Sequence, residues 1–296
     1  MVTQTIATEP DLQHHRTQFE TRFLAHLAGL GLSDAAPCPL LGGRSNRVWR
    51  LGGIVVKLYG RGNANPLFAN DPSREQAALS ALYRTGMVPS PLAAGQFEGR
   101  DWLAYQHSPG VTWSSGTTHV AELLGRLHTQ PVIPDLPNGI SGSAEIAAQT
   151  RTILGHCRMG NDLLRIEPTR PVAPLGVHRL IHGDPVPGNI VTCDGQLTLI
   201  DWQCPQIGDP AEDVALFLSP AMQQVYRGAP LSAVEEAAFL AAYPDPQVVA
   251  RYLELKSWFH WRMVAYCRWR DERDGEADSR AYRLERAALD ACLAAA

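Results

Sequence analysis

The sequence predicts an α+β protein with two lobes, a small N-terminal lobe built on a β-sheet and a larger C-terminal lobe that is mostly helical. Residues 47–59 contain two short strands joined by Gly52-Gly53, a pattern typical of a β-hairpin. Apolar residues recur at helical spacing over most of residues 211–292. With 45% hydrophobic and 19% charged residues in a chain of 296, the composition is that of an ordinary globular protein.

The predicted N-terminal lobe spans residues 1–106. A helix over residues 11–29 opens it and ends at a glycine, and the hairpin follows. Asp71 then provides a helix cap before a first-turn proline, and Gly86 closes that helix. A further strand is predicted over residues 102–106.

The predicted C-terminal lobe spans residues 107–296, because residues 107–110 (His-Ser-Pro-Gly) break regular structure. Helical spacing begins again at Val120 and continues in several segments. A second hairpin, centred on Asp194-Gly195, interrupts the helices before they return.

Charge and cysteine content exclude several classes of protein. A net charge of −4 and an isoelectric point near 6.2 argue against a general nucleic-acid-binding protein, which needs excess Lys and Arg. The six cysteines form no C-x-x-C pair, so neither a disulfide framework nor a zinc ribbon is expected. The sequence has no signal-peptide pattern and no run of 18 apolar residues, so we expect a cytoplasmic protein without a membrane segment. It does not predict an oligomeric state.

The second hairpin predicts a cation site. With Asp194 and Gly195 in the turn, Asn189 faces Ile200 and so lies close to Asp201. Asp184 precedes Asn189 by five residues, across a loop with two prolines and a glycine. Two carboxylates and an amide without clustered histidine or thiolate suit Mg²⁺, which proteins usually bind together with substrate phosphates.

The predicted N-terminal lobe supplies a lysine and a glutamate that complement this site. Glu75 falls on the same helical stripe as Ala78 and Leu79, so its carboxylate faces the core and needs a partner. Lys57, in a predicted strand, is the candidate. The chain has two lysines against 24 arginines, so a lysine here indicates that a compact ammonium group is required, as at phosphate sites.

Taken in order, these motifs resemble the aminoglycoside phosphotransferase and choline kinase superfamily, whose members have protein-kinase-like folds and phosphorylate small-molecule hydroxyl groups. The resemblance covers roughly residues 35–220. The pairing of H-G-D-x-x-x-x-N with a downstream I-D-W and G-D-P is quite specific, whereas an isolated H-G-D would not be. The motifs are G-G-R-S-N (42–46), V-V-K (55–57), Glu75, H-G-D-x-x-x-x-N (182–189), I-D-W (200–202), G-D-P (208–210) and Asp213.

The resemblance implies a role for each of these residues. Asp184 would be the catalytic base, and Asn189 and Asp201 would hold Mg²⁺ bridging the phosphates of ATP. Lys57, fixed by Glu75, would contact the α- and β-phosphates. The remaining nucleotide contacts would come from the turn with Gly42, Gly43, Ser45 and Asn46, which covers the phosphates, and from a hinge with Tyr105 and His107, which meets adenine.

The acceptor that the resemblance implies is a hydroxyl of a small metabolite. Choline-, ethanolamine- or thiamine-like alcohols are favoured over aminoglycosides, because no dense acidic patch for a polyamine is present, and they are also placed ahead of sugars. Five aromatic residues in 258–269 suggest a cation-binding cage, but their helical spacing favours core packing. At position 203, directly after I-D-W, this chain has Gln where many members of the superfamily have an acidic residue. The resemblance therefore does not decide how many magnesium ions bind. Only six residues separate Asp201 from Gly208, too few for the long activation segment of a regulated protein kinase. A protein substrate and a phosphorylation switch are therefore disfavoured.

Other interpretations remain open at this point. Asp184 and Asp201 are also typical loop caps, and Lys57 with Glu75 could be a structural ion pair. His182 is expected to orient its loop, and Asp209 and Asp213 to cap the helix that begins near residue 210. The alternative functions are a catalytically silent nucleotide-binding protein and a metal-dependent hydrolase.

Overall fold

The computed structural model describes residues 9–40, 46–60 and 65–295, with side chains from Gln18 onward. The chain divides into two compact units, one formed by Met1–Arg61 with Leu92–His107 and the other by Gly62–Pro91 with Ser108–Ala296. The predicted α+β class is confirmed, with an antiparallel sheet in the N-terminal part and helices in the C-terminal part. The predicted domain boundary after residue 106 stays a prediction.

The first unit is a five-stranded sheet packed against one helix. The strands lie in the order β1-β2-β3-β5-β4, and the predicted hairpin is confirmed with Leu51 opposite Ile54. Its elements are α1 (Glu9–Gly29), β1 (Pro37–Pro39), β2 (Asn46–Leu51), β3 (Ile54–Tyr59), β4 (Pro91–Phe97) and β5 (Arg100–Gln106).

The helix covers one face of this sheet. Phe23 and Leu27 of α1 are buried against Trp49, Val56 and Trp102, which come from three neighbouring strands. Because side chains alternate along a strand, Lys57 lies on the opposite face from its neighbour Val56. The helix therefore leaves Lys57 on the face of the sheet that it does not cover.

The second unit contains the remaining elements. Its helices are α2 (Pro72–Leu82), α3 (Thr117–Leu127), α4 (Gly142–Gly155), α5 (Asn161–Leu164), α6 (Pro210–Leu218), α7 (Pro220–Arg227), α8 (Ala233–Ala242), α9 (Pro246–Asp274) and α10 (Arg280–Ala294). Its strands are β6 (Val111–Thr112), β7 (Arg179–Ile181), β8 (Ile190–Cys193), β9 (Gln196–Leu199) and β10 (Gln206–Gly208), arranged as β6-β8-β9 and β10-β7. None of the helices within the described ranges is sufficiently long and apolar to span a bilayer.

Local sequence signals fix two elements that lead to the site. Asp71 caps α2, since its side chain accepts the backbone N–H groups of Ser73 and Arg74. The second hairpin has the predicted register, with Val191 opposite Thr198. Asp194 and Gly195 both have positive φ, 49° and 79°, as the tight turn of a two-residue hairpin requires.

The long helix α9 runs through the core of the second unit. Trp258 and Trp261 are buried, and their indole N–H groups donate to the backbone carbonyls of Arg170 and Leu163. The predicted core packing of these two tryptophans is confirmed. Of the arginines on this helix, Arg262 pairs with Glu212 at 2.7 Å.

Candidate functional site

The loop after β7 carries the first predicted site residue. The loop can turn sharply here because Gly183 has φ +80°, and a Cβ at this position would lie 2.2 Å from the carbonyl oxygen of Cys204. Only glycine satisfies both conditions. Asp184 follows directly and is 8% exposed.

Asp213, fully buried on α6, holds this loop. Its Oδ2 accepts the backbone N–H of His182 at 2.8 Å, and its Oδ1 accepts that of Gly183 at 2.9 Å. Hydrogen bonds from backbone N–H groups to an ionised carboxylate are stronger than neutral ones. The expectation that Asp213 caps α6 is wrong: Asp209 caps that helix by accepting the N–H of Ala211, and Asp213 turns inward to the loop.

A buried hydrogen-bond network of side chains extends from Asp213. The Nε2 atom of His128 lies 3.0 Å from Asp213 Oδ2, and its Nδ1 lies 2.5 Å from the Tyr243 hydroxyl. Since Asp213 accepts the Nε2 proton, the Tyr243 hydroxyl donates to Nδ1. Burial, with a further contribution from Asp213, raises the pKa of Tyr243, so the phenol keeps the proton that it donates. Sequence reasoning missed His128 and Tyr243, because nothing in their local pattern marks a polar network.

His182 has the structural role expected for it. The Nε2–H group donates to the carbonyl oxygen of Ile200 at 3.1 Å, and Nδ1 accepts the backbone N–H of Asp184 at 3.2 Å. The ring also contacts Trp202, with 4.4 Å between ring centroids. The imidazole therefore joins the loop of Asp184 to the strand end that leads into Asp201.

The three predicted polar residues of the C-terminal part lie on adjoining segments. The Asn189 Nδ2 atom donates to the backbone oxygen of Asp184 at 2.9 Å and to its Oδ2 at 3.2 Å. The N–H of Ile200 donates to the backbone oxygen of Asn189 at 2.9 Å, which places Asp201 one residue away. Asp201 has φ +62°, a strained conformation for a residue with a side chain and one that is concentrated at functional sites.

The donor set fits a hard divalent cation completed by a ligand. The backbone carbonyl oxygen of Asp184 can only accept a hydrogen bond, so the NH₂ group of the Asn189 amide must face it. The Oδ1 atom of Asn189 is therefore directed away from that hydrogen bond. An amide oxygen and the Asp201 carboxylate are oxygen ligands of the kind that Mg²⁺ prefers. The described ranges contain no group of three or more His, Cys, Asp or Glu side chains that could hold a metal ion.

Tyr226 is a further residue at this site that the sequence did not indicate. Its ring lies against Gly188, where a Cβ would come within 2.5 Å of the tyrosine Cδ1. Burial raises the pKa of Tyr226, and the nearby carboxylates of Asp184 and Asp201 raise it further. The phenol of Tyr226 therefore stays protonated near the carboxylate of Asp184.

The predicted nucleotide-binding residues fall into separate parts of the fold. Lys57 lies on β3, is 2% exposed, and has its Nζ 5.2 Å from the centroid of the Tyr59 ring. Glu75 is buried on α2, whose start is fixed by the Asp71 N–H donating to the Gln203 carbonyl oxygen. These two residues belong to different units, so their pairing stays a prediction.

The remaining predicted residues lie at the ends of strands or outside the described part of the chain. Asn46 begins β2, and its side-chain oxygen accepts the N–H of Gly60 at 3.1 Å. Tyr105 is buried near the end of β5, and His107 follows that strand and donates its N–H to the Gly53 carbonyl oxygen. Gly42, Gly43 and Ser45 lie outside the described residues.

Comparison with known proteins agrees with the fold and with the motifs. The model of the phosphotransferase enzyme family matches residues 37–252. Thiamine kinase of Escherichia coli O9:H4 (strain HS) is 27% identical over 208 residues, which cover 68% of this chain and 71% of that protein.

Solved structures with a similar fold include two named phosphotransferases. Choline kinase LicA from Streptococcus pneumoniae has a TM-score of 0.65 at 17% identity, covering 94% of this chain and 100% of that one. The GDP complex of aminoglycoside 2′-phosphotransferase-IIIa has a TM-score of 0.61 at 16% identity, covering 96% and 98%. These likenesses support the kinase-like fold that the sequence predicts.

The contact between Gly188 and Tyr226 can be tested by substitution. We expect Gly188→Ala to lower the free energy of unfolding by about 1–2 kcal/mol, because the new methyl group displaces the ring. Gly176→Ala, where a Cβ meets no atom within 4 Å, is the matched control and should change it by less than about 0.5 kcal/mol. Urea denaturation measures both. Equal effects at the two glycines, or a cost at residue 188 that persists after Tyr226→Ala, would contradict this packing.

Proposed function

Because the chain belongs to the phosphotransferase enzyme family, we propose that it transfers the γ-phosphate of ATP, with Mg²⁺, to a hydroxyl group of a small metabolite. That it is a small-molecule kinase follows from the family and from its thiamine kinase relatives. The main support for the use of ATP, Mg²⁺ and a hydroxyl acceptor is the arrangement of three polar residues. Asp184 and Asn189 lie on the loop held by Asp213, and Asp201 follows the adjoining hairpin.

Asp184 is the proposed catalytic base. Its carboxylate is nearly buried and is oriented through Oδ2 by the amide of Asn189. A carboxylate in this position accepts a hydrogen bond from the acceptor hydroxyl, aligns the hydroxyl oxygen for attack, and takes the proton as the bond to phosphorus forms. Phosphoryl transfer requires little covalent chemistry of the protein, so positioning of this kind supplies much of the catalysis.

Asn189 and Asp201 are the proposed magnesium ligands. Asn189 offers the amide oxygen that its bond to Asp184 leaves available, and Asp201 offers a carboxylate. When bound, the ion neutralises phosphate charge.

The nucleotide would be held by residues of the N-terminal part. Lys57 is proposed to neutralise the phosphates and Glu75 to fix it, while Gly42, Gly43, Ser45 and Asn46 would cover the phosphates with backbone N–H groups. Tyr105 and His107 would contact adenine. Burial, with Arg50, lowers the pKa of His107, so the imidazole is neutral at pH 7 and suits contact with an uncharged base.

The proposed acceptor is an alcohol of the thiamine or choline type. The relatives named thiamine kinase support thiamine as the first compound to test. Ethanolamine, sugars and aminoglycosides complete the panel, and formation of ADP with each compound measures turnover.

The role of Asp184 is tested by Asp184→Asn. We expect kcat to fall by at least about 10³-fold, because the amide cannot take the proton, while the dissociation constant of MgATP changes little. Asp194→Asn, in the hairpin turn, is the matched control and should retain normal turnover, since asparagine tolerates the positive φ at that position. Near-normal kcat in Asp184→Asn would remove this residue as the base.

The role of Lys57 is tested by Lys57→Met, which keeps the side-chain volume of a buried position. Loss of the ammonium group should lower kcat/KM for ATP by about 10²-fold, in the range found when one charge-stabilising group is removed. Lys256→Met is the control, because the chain's other lysine pairs with Glu236 and lies outside the proposed nucleotide site. Similar kinetics for the two variants would reject a phosphate contact by Lys57.

A further inference from the structure

The connection between α8 and α9 consists of three residues, Tyr243, Pro244 and Asp245, which we call the 243–245 segment. Each of them contacts a residue outside the two helices that the segment joins. Two of these contacts are with the C-terminal end of α3, and the third is with β7, the strand that leads into His182. The segment therefore touches two of the elements that support the loop of Asp184.

Tyr243 makes the first contact through its hydroxyl group, which lies 2.5 Å from Nδ1 of His128. Both residues are buried. Burial raises the pKa of Tyr243, so the phenol keeps its proton and donates the hydrogen bond. A neutral imidazole has one donor and one acceptor nitrogen, so the ring proton is then on Nε2, which lies 3.0 Å from Asp213 Oδ2. The hydroxyl thus selects the tautomer of His128 that can donate to Asp213.

Pro244 makes the second contact, and a glycine allows it. Gly125 lies on α3, one turn before His128, so the two residues share a face of the helix. A Cβ at Gly125 would lie 2.2 Å from Cγ and 2.5 Å from Cδ of Pro244. The proline ring can approach the helix this closely because residue 125 has no side chain. This approach places the neighbouring Tyr243 beside the imidazole.

Asp245 makes the third contact, an ion pair with β7. Its Oδ2 atom lies 2.9 Å from Nη2 of Arg179, which begins that strand three residues before His182. The same carboxylate accepts the N–H of Gln247 and so caps α9. The 243–245 segment also borders a cavity of about 500 Å³. Since it is not packed on every side, these contacts determine its position.

The contacts of Tyr243 lead to the two amides that fix the loop. Asp213 Oδ2 accepts the Nε2–H of His128 as well as the backbone N–H of His182. Its Oδ1 accepts the N–H of Gly183. Without the Tyr243 hydroxyl, Nδ1 of the imidazole becomes a buried acceptor that has lost its donor, which is unfavourable. The ring then loses its fixed orientation, and with it the donor that is aligned on the carboxylate.

We propose that Tyr243 and His128 are positioning residues for phosphoryl transfer, which act through Asp213 on the loop of Asp184. A displacement of about 1 Å at the reacting groups can cost about 10²-fold in rate, so contacts far from the chemistry affect turnover. The expected effect on turnover rests on the proposed function. The hold on the loop does not, because it exists whether or not a phosphate is transferred.

The first test is Tyr243→Phe, which removes one hydroxyl group and keeps the ring. We expect kcat to fall about tenfold, while KM for ATP and for the acceptor changes by less than about twofold, because the substrate contacts are untouched. Tyr252→Phe is the matched control, since Tyr252 is another buried tyrosine, on α9, outside the network of Asp213. It should keep the kcat of the wild type. An unchanged kcat in Tyr243→Phe, or an equal loss in the control, would overturn the proposal.

A double-mutant cycle tests whether Tyr243 acts through Asp213. Asp213→Asn replaces the carboxylate with an amide, and Tyr243→Phe is then added to it. If both groups belong to one network, the second substitution should lower kcat by less than about twofold in the Asp213→Asn protein, against about tenfold in the wild type. The full loss in both backgrounds would show that Tyr243 acts independently of Asp213, contrary to the proposal.

The contact at Gly125 provides a variant that alters no polar group. Gly125→Ala should displace the ring of Pro244 and draw Tyr243 away from His128, so kcat should fall several-fold. Gly155→Ala, at the end of α4, is the matched control, because a Cβ there meets no atom within 4 Å. Equal kcat values for the two variants would overturn the role of this contact.

A measurement without nucleotide separates the proposal from the proposed function. Native-state hydrogen exchange reports on the amides of His182 and Gly183 directly. Both should exchange at least about tenfold faster in Tyr243→Phe and in His128→Leu, and at the wild-type rate in Tyr252→Phe. If no acceptor is phosphorylated, the proposed function fails and the exchange rates still decide whether the network holds the loop. Exchange that neither substitution accelerates would overturn the proposal.

Discussion

The carboxylate of Asp213 is the constraint on which the proposed active site depends. It accepts two successive backbone N–H groups, those of His182 and Gly183, and a third hydrogen bond from His128. The residue is fully buried, so these bonds replace the water that an ionised carboxylate would otherwise require. A loop pinned in this way presents Asp184 in one orientation, and phosphoryl transfer depends on such positioning.

Two connections carry that constraint to the rest of the site. Asn189 closes the loop on itself by donating to Asp184, and its backbone oxygen joins the loop to the hairpin that ends in Asp201. His182 makes a parallel connection to the same hairpin through Ile200. These hydrogen bonds therefore connect the loop of the proposed base to the hairpin that leads to the proposed magnesium ligand Asp201.

Much of this arrangement is predictable from the sequence because the governing signals are local. The Asp194-Gly195 turn fixes the hairpin register, and the register places Asn189 beside Ile200. Asp71 before Pro72 marks the start of α2, and the spacing of Trp258 and Trp261 indicates a core helix. In each case one to four neighbouring residues determine the geometry.

The parts that were missed depend on contacts between distant segments. One hydrogen-bond network joins His128, Tyr243 and Asp213, which come from three separate helical regions. No spacing of residues in the sequence indicates that they are in contact. Tyr226 acquires its position only when α7 packs on the loop at Gly188. The strand β4 was missed for a local reason: Pro-Leu-Ala-Ala-Gly-Gln-Phe lacks the β-branched residues typical of strands, although this segment pairs with the next strand, β5.

The most direct test is native-state hydrogen exchange at the backbone amides of His182 and Gly183. If Asp213 holds the loop, both amides should exchange as slowly as those of the buried helices, and Asp213→Asn should accelerate them by at least about 100-fold. Amides in the neighbouring hairpin should change much less. Rapid exchange of both amides in the unmodified protein, at rates typical of open loops, would contradict the account.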